Sequence, residues 1–147
     1  MTVKRCRLAS IILLSVICSF AVHAEDERPP MPPMTIALNA TPYPAPAVKS
    51  VIQGRVLVAF NITKKGRADS ENVVDAEPLD VFESTALSAV RKVKFAVPPD
   101  WEEKAGPLQR YRLSVVFKLY PCPPESCTTP KAHDEADDFI IISAQAK

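Results

Sequence analysis

The side chains best suited to chemistry gather near the end of the chain, where a histidine lies among carboxylates that could hold a cation. They are His133, Asp134, Glu135, Asp137 and Asp138. Runs of like charge are more often solvated spacers than metal sites. We therefore favour an acidic spacer and expect neither a metal ion nor a cofactor.

Catalytic machinery is not evident elsewhere in the sequence. An enzyme usually needs a nucleophile with a base, paired carboxylates in a pocket, or a metal site. The chain has 147 residues with two histidines and three glycines, too few glycines for a glycine-rich phosphate loop. Trp101 could stack on a ligand, but covering one end of a small core is the better interpretation. The sequence predicts a binding protein with no catalytic residues.

Residues 1–24 have the layout of a secretory signal peptide. A positively charged start precedes an apolar run over 8–20, and Val22 and Ala24 fit positions −3 and −1 of a cleavage site. Left uncleaved, residues 8–24 would be at the lower length limit for a membrane anchor. We expect cleavage and export, with the anchor as the alternative.

The exported chain carries a weak net charge and two cysteines. Without residues 1–24 it has 15 Lys and Arg against 17 Asp and Glu, so no basic field remains to attract nucleic acid or anionic lipid. In an oxidising compartment, Cys122 and Cys127 should form a local disulfide. Such a short loop would gain about 2 kcal/mol. Half of a metal site is the alternative.

Hydrophobic patterning divides the remaining chain into three parts. Residues 25–42 are rich in proline and predict an extended linker. Residues 43–120 predict an α+β domain, a small antiparallel β-sheet with one main amphipathic helix and a short N-terminal helix. Residues 121–147 predict a disulfide loop and an acidic, then apolar, tail. The elements expected within the domain are a helix over 47–52, strands over 55–63 and 67–76 joined by a turn at Gly66, a helix over 82–95 and a strand over 110–119.

The functional hypothesis rests on the last of these strands, residues 110–119. Its residues alternate, with Tyr111, Leu113 and Phe117 on one face and Arg112 and Lys118 on the other. A strand that ends a small sheet can be an edge, whose unpaired N–H and C=O groups can pair with another chain. We therefore expect recognition through the backbone.

Short motifs follow one another in a distinctive order along this domain. Tyr43-Pro44 precedes the first helix, and Glu77-Pro78 ends the second strand. The other pieces lie over residues 54–62, 81–95 and 115–119. Together they resemble the C-terminal domain of TonB, the periplasmic end of the energy transducers of Gram-negative bacteria.

The resemblance implies a periplasmic domain that binds outer-membrane transporters by adding their short "TonB box" as a strand beside its last strand. It also makes the Tyr-Pro motif a receptor contact, although a helix-entry turn packed on the sheet explains that motif equally well. Self-pairing of the edge in a homodimer is a further alternative. The candidate partner-binding residues are Tyr43, Pro44, Arg110, Tyr111, Arg112, Leu113, Ser114, Val115, Val116, Phe117 and Lys118.

Three residues depart from the family pattern. Ala68 and Glu71 occupy positions where the second strand is usually apolar, and Asp80 replaces a glycine common before the helix. We expect these changes to weaken the hairpin without abolishing the fold.

The tail supplies a second hypothesis. Residues 138–144 have an acidic residue followed by β-branched ones, and so resemble a TonB box. This segment could fold back onto the domain's own edge strand, be offered to another TonB, or simply cover an edge against aggregation. The alternative function is therefore a non-catalytic scaffold module of the cell envelope whose edge strand is covered by its own tail.

Overall fold

A computed structural model describes residues 29–36, 41–101, 110–121 and 130–145. Its strands form a four-stranded sheet in the order β3-β2-β5-β6 and a separate β1-β4 pair. This confirms the α+β class. The elements are β1 (Met34–Thr35), α1 (Ala45–Lys49), β2 (Gly54–Ile62), β3 (Ala68–Glu77), α2 (Glu83–Lys92), β4 (Lys94–Phe95), β5 (Tyr111–Tyr120) and β6 (Asp138–Gln145).

The β2–β3 hairpin forms where alternation predicted it. Its turn needs a glycine, because Gly66 has a φ of 66° and a Cβ there would overlap the carbonyl oxygen of Phe95. The Gly66 carbonyl instead accepts a hydrogen bond from the Phe95 amide at 2.9 Å. The turn is thereby fixed to the segment that follows α2.

Helix α2 ends at Lys92, three residues before the predicted end. Val93 is extended, with φ −65° and ψ 140°, and the next two residues pair with β1. At the other end, the Glu83 carboxylate accepts hydrogen bonds from the amides of Asp80 at 2.6 Å and Phe82 at 3.0 Å. Burial alone would raise the pKa of Glu83, but these and other backbone hydrogen bonds outweigh it and lower the pKa.

Helix α1 begins two residues and ends three residues earlier than predicted. Proline occupies its first turn, where a missing N–H costs nothing. The helix cannot extend to residue 52, because Val51 has a positive φ of 54°.

The proline-rich segment contains the short strand β1 within the described residues 29–36, and it packs on the domain. The Tyr111 hydroxyl donates to the Pro29 carbonyl at 2.9 Å, and the Ala96 amide donates to the Pro33 carbonyl at 2.8 Å. Met34 also contacts the core. At least this part of the segment belongs to the folded unit.

The core lies between the sheet and α2. Phe82 from the start of α2 stacks on Phe117 of β5, with ring centroids 4.3 Å apart. Trp101 is 3% exposed and donates its indole N–H to the Ile62 carbonyl at 3.0 Å. This confirms that Trp101 covers an end of the core.

The departures from the family pattern have local compensations. The Glu71 carboxylate forms an ion pair with Arg91 of α2, so a charged contact replaces an apolar one. Asp80 adopts a φ of 62°, a left-handed conformation that glycine favours and aspartate tolerates better than most residues. Glu71 and Asp80 are thus both accommodated in this fold.

Candidate functional site: the outer flank of β5

Strand β5 is an interior strand, and the prediction that it forms an open edge is wrong for this conformation. One flank pairs antiparallel with β2, from Gly54↔Phe117 to Phe60↔Tyr111. The other flank, called here the outer flank, pairs parallel with β6 from Leu113↔Asp138 to Tyr120↔Gln145. The sheet is therefore mixed and not wholly antiparallel. Of the alternatives for the tail, the structure shows the fold-back onto the domain's own strand.

The acidic tail segment explains how β6 reaches this position. Parallel neighbours need a crossover of a dozen residues or more, and the chain between the end of β5 at Tyr120 and the start of β6 at Asp138 is long enough for one. The amide of Arg112 donates to an Asp137 carboxylate oxygen at 2.7 Å, and its guanidinium contacts Glu135 at 2.6 Å. The Asp137 amide in turn donates to the Arg112 carbonyl at 2.8 Å. The crossover is thereby anchored at the start of β5.

The described part of this segment, residues 130–137, contacts the sheet face opposite α2. Ser114 is fully buried although it is polar, and its hydroxyl accepts a hydrogen bond from the His133 amide at 3.0 Å. The His133 ring lies 3.5 Å from the Asp75 carboxylate of β3. Two of the tail carboxylates, Glu135 and Asp137, contact Arg112 at the start of β5. Among the described residues, no cluster of three or more His, Cys, Asp or Glu could hold a metal ion.

The two faces of β6 differ in burial. Ile140 and Ile142 are 4% and 7% exposed and join the core, whereas Phe139 and Ile141 on the other face are 52% and 40% exposed. Strand alternation explains the difference, because successive side chains point to opposite faces. A segment occupying this flank therefore needs two aliphatic side chains, two residues apart, on its inner face.

Tyr43, the first candidate contact, is a core residue. Its ring meets Phe82 and Phe117 edge-on at centroid distances of 5.6 and 5.7 Å. Its hydroxyl donates to the Ile52 carbonyl at 2.7 Å, and burial raises the pKa of Tyr43 to about 12. Pro44 is half-buried. The geometry thus favours the helix-entry role of this pair.

The candidate residues of β5 present little side-chain surface. The inward residues Tyr111, Leu113, Val115 and Phe117 are buried in the core. Outside the strand, the Arg110 guanidinium donates to the Ser70 carbonyl at 3.0 Å and to Asn72. On the opposite face Val116 is buried, while Arg112 and Lys118 are half-buried. In this conformation the backbone of its outer flank pairs with β6. Sequence reasoning named the strand as a binding candidate, which stays a prediction, and did not foresee the acidic anchor Asp137.

The described fold and this flank can be compared with known proteins. The family model for the Gram-negative bacterial TonB protein C-terminal domain matches residues 39–119, more than half of the chain. The chain belongs to this family. Similar proteins are each called "Protein TonB": one from Salmonella typhimurium is 32% identical over 91 residues, and one from Escherichia coli is 33% identical over 87. These alignments cover 61% and 59% of this chain, and 34% of each relative. The chain thus spans about a third of the relatives it matches.

The TonB family match ends one residue before β5 does. Residues 39–119 include α1, β2, β3, α2, β4 and nearly all of β5, whereas β6 lies beyond it. The family domain therefore ends with the strand on which β6 is placed.

Some predictions concern residues outside the described ranges. These are the signal peptide over 1–24 and the Cys122–Cys127 disulfide. Among the described helices, none is long and apolar enough to cross a membrane.

Proposed function

We propose that the exported chain is a periplasmic TonB-type module that binds a short peptide strand of an outer-membrane transporter in TonB-dependent transport. Membership of the TonB C-terminal family supports a role in TonB-dependent transport. The curated relatives carry the name Protein TonB. The observation that carries the proposal is geometric. The outer flank of β5 accepts an extended segment over the whole of Leu113–Tyr120.

Binding would rest mainly on the backbone. A strand on this flank makes about five ladder hydrogen bonds, each worth about 1 kcal/mol net before ordering costs. Aliphatic side chains in the sites held by Ile140 and Ile142 would add apolar burial. This combination gives modest affinity and strong selection for extended peptides.

A photo-cross-linking experiment tests the proposal. A photoreactive residue at Lys118, half-buried on β5, should capture an outer-membrane transporter in intact cells. The matched control places the same residue at Lys65, which is exposed in the β2–β3 turn. Capture at both positions, or at neither, would contradict the binding of an outer-membrane transporter at β5.

The localisation is tested separately. N-terminal sequencing of the protein from an envelope fraction should give a chain that starts at Glu25. Recovery of a chain that retains residues 1–24 in the inner membrane would show that the module is membrane-anchored and not free in the periplasm.

A non-catalytic envelope scaffold is the second candidate, favoured by the occupied flank of β5. In that case β6 would stay in place permanently. Amide hydrogen exchange over Leu113–Tyr120 separates the two, since a permanent strand protects these amides to the level of the core. Accelerated exchange at the outer-flank amides would support the binding module.

A further inference from the structure

The position of β6 raises the question of how a foreign strand reaches β5. The register between β5 and β6 runs without a shift over eight residues of β6. The β2–β3 pairing, in contrast, contains two register shifts. The flank on which the proposed function depends is thus filled by a regular strand.

Strand β6 is an addition to the family domain. It lies beyond residues 39–119, and within the described sheet its neighbour is β5. An edge strand of this kind can leave without breaking any other strand pairing. Its departure would uncover the part of the core that Ile140 and Ile142 cover.

The polar contacts that tie the tail to β5 side chains and to the start of β5 lie just before β6. Asp137 and Glu135 both bind Arg112, and the His133 amide binds Ser114. Beyond Phe139, the described contacts are the parallel ladder and the inner-face side chains of Ile140, Ile142 and the half-buried Ala144. Parallel pairing is slightly less stable per residue than antiparallel pairing. The strand can open from its far end while the crossover stays in place.

We propose that β6 is a built-in ligand that occupies the peptide site, so that a foreign strand binds by displacing it. This inference rests on the proposed function and specifies the ligand. The ligand runs parallel to β5, has an acidic residue where Asp137 caps the Arg112 amide, and has aliphatic residues three and five positions later, as in Ile140 and Ile142.

Displacement makes affinity depend on how firmly β6 is held. A tethered segment competes at an effective concentration on the order of mM, so it suppresses the binding of a peptide supplied at micromolar concentration. Weakening β6 should therefore tighten peptide binding by at least about tenfold. A change on the outer face of β6 should leave the affinity within about twofold.

The test uses the full exported chain and a labelled synthetic peptide with the sequence of residues 137–145. Binding is measured by fluorescence anisotropy, with a scrambled peptide as reference. The release variant is Ile140→Ser with Ile142→Ser, on the buried face. The matched control is Phe139→Ser with Ile141→Ser, on the exposed face of the same strand.

The expected result is tighter binding by the release variant alone. Equal affinity of the release variant and the unsubstituted chain would overturn the inference. So would a release variant that fails to fold while the control folds, because β6 would then be an integral part of the core.

A covalent lock tests the same point without weakening the strand. Lys118 and Ser143 are directly opposite in the register, so Lys118→Cys with Ser143→Cys should form a disulfide that fixes β6. Oxidation should abolish peptide binding and reduction should restore it, with the unsubstituted chain as the redox control. Full binding by the oxidised, locked protein would overturn the inference.

The transporter cross-link keeps this inference separate from the proposed function. If a transporter is captured at Lys118 but neither the release variant nor the lock changes peptide affinity, the built-in-ligand inference is wrong and the proposed function stands. If the release variant and the lock both change peptide affinity but no transporter is captured, only the proposed partner is wrong.

Discussion

The two outer strands of the sheet, β3 and β6, are held in opposite ways. Strand β3 is polar and mostly exposed, and its pairing with β2 contains two register shifts. Charged contacts such as Glu71–Arg91 tie it to α2. Strand β6 is apolar, regular and held by aliphatic side chains and a ladder.

This difference decides which strand a peptide can replace. Irregular pairing and charged side chains protect an edge from foreign strands, and β3 has both. Its place also depends on a hairpin turn and on particular side chains that a peptide would have to reproduce. The position of β6 requires an extended backbone, two aliphatic residues and the acidic anchor Asp137. Only the β6 side of the sheet suits exchange.

The largest expected effect comes from breaking the attachment of β3. A side chain at Gly54 would overlap the carbonyl oxygen of Glu77 and lie 2.8 Å from the ring of Phe82. Gly54→Val should therefore destabilise the domain by about 3 kcal/mol or more. Urea unfolding followed by the fluorescence of Trp101 measures this, with Lys65→Ala as a near-neutral control. A loss below about 1 kcal/mol would mean that β3 can shift freely.

A smaller effect is expected from loosening β6. Ile140→Ala should cost about 2 kcal/mol, whereas Ile141→Ala, on the exposed face, should cost about 0.5 kcal/mol or less. The loss at Ile140 should appear as local opening, with exchange of the β6 amides accelerated about 30-fold. If both variants lowered global stability equally, the faces of β6 would not differ as described.

The charged attachment of β3 should respond to pH. The Arg91 guanidinium hydrogen-bonded to Glu71 holds the pKa of that carboxyl below its ordinary value of 4.5. The stabilisation is therefore present above the unfolded-state pKa and is lost as the pH falls through the lowered, folded-state value. With Arg91 largely exposed, we expect about 0.5–1 kcal/mol. Glu71→Gln should make the acid-induced fall in unfolding free energy shallower. An unchanged slope would show that the Glu71–Arg91 ion pair does not stabilise β3.

The smallest effect concerns the loop after β3. Asp80 has a φ of 62°, so Asp80→Gly should relieve strain and stabilise the domain by about 0.5 kcal/mol. The control is Ser84→Gly in the exposed part of α2, which should destabilise by a similar amount. Thermal unfolding of both variants gives the comparison. Destabilisation by Asp80→Gly would show that the aspartate side chain stabilises this turn.

Much of this fold could be predicted because its signals are local. Alternation located β2 and β5 to within one residue, and a helical stripe located the start of α2. The pattern failed at Val93, whose apolar side chain continued the stripe although its backbone is extended. The β1–β4 pair was missed because two-residue strands carry no periodicity.

The candidate site was only partly predictable for a related reason. The sequence identifies β5 as an alternating strand and residues 138–144 as a possible partner for it. Whether β5 is open depends on pairing between distant segments, and the parallel direction of β6 depends on the path of the crossover past Ser114 and Arg112. Local sequence patterns predict neither the occupancy of the β5 flank nor the direction of β6. Asp137 therefore looked like one of several solvated carboxylates.

The parallel direction of β6 also has a mechanical consequence. Tension applied to Gln145 along the strand axis, while β5 is held, loads the whole ladder from Asp138 in shear. The same tension applied sideways breaks the ladder one bond after another, at much lower force. How easily this strand is removed should therefore depend on the direction of pulling.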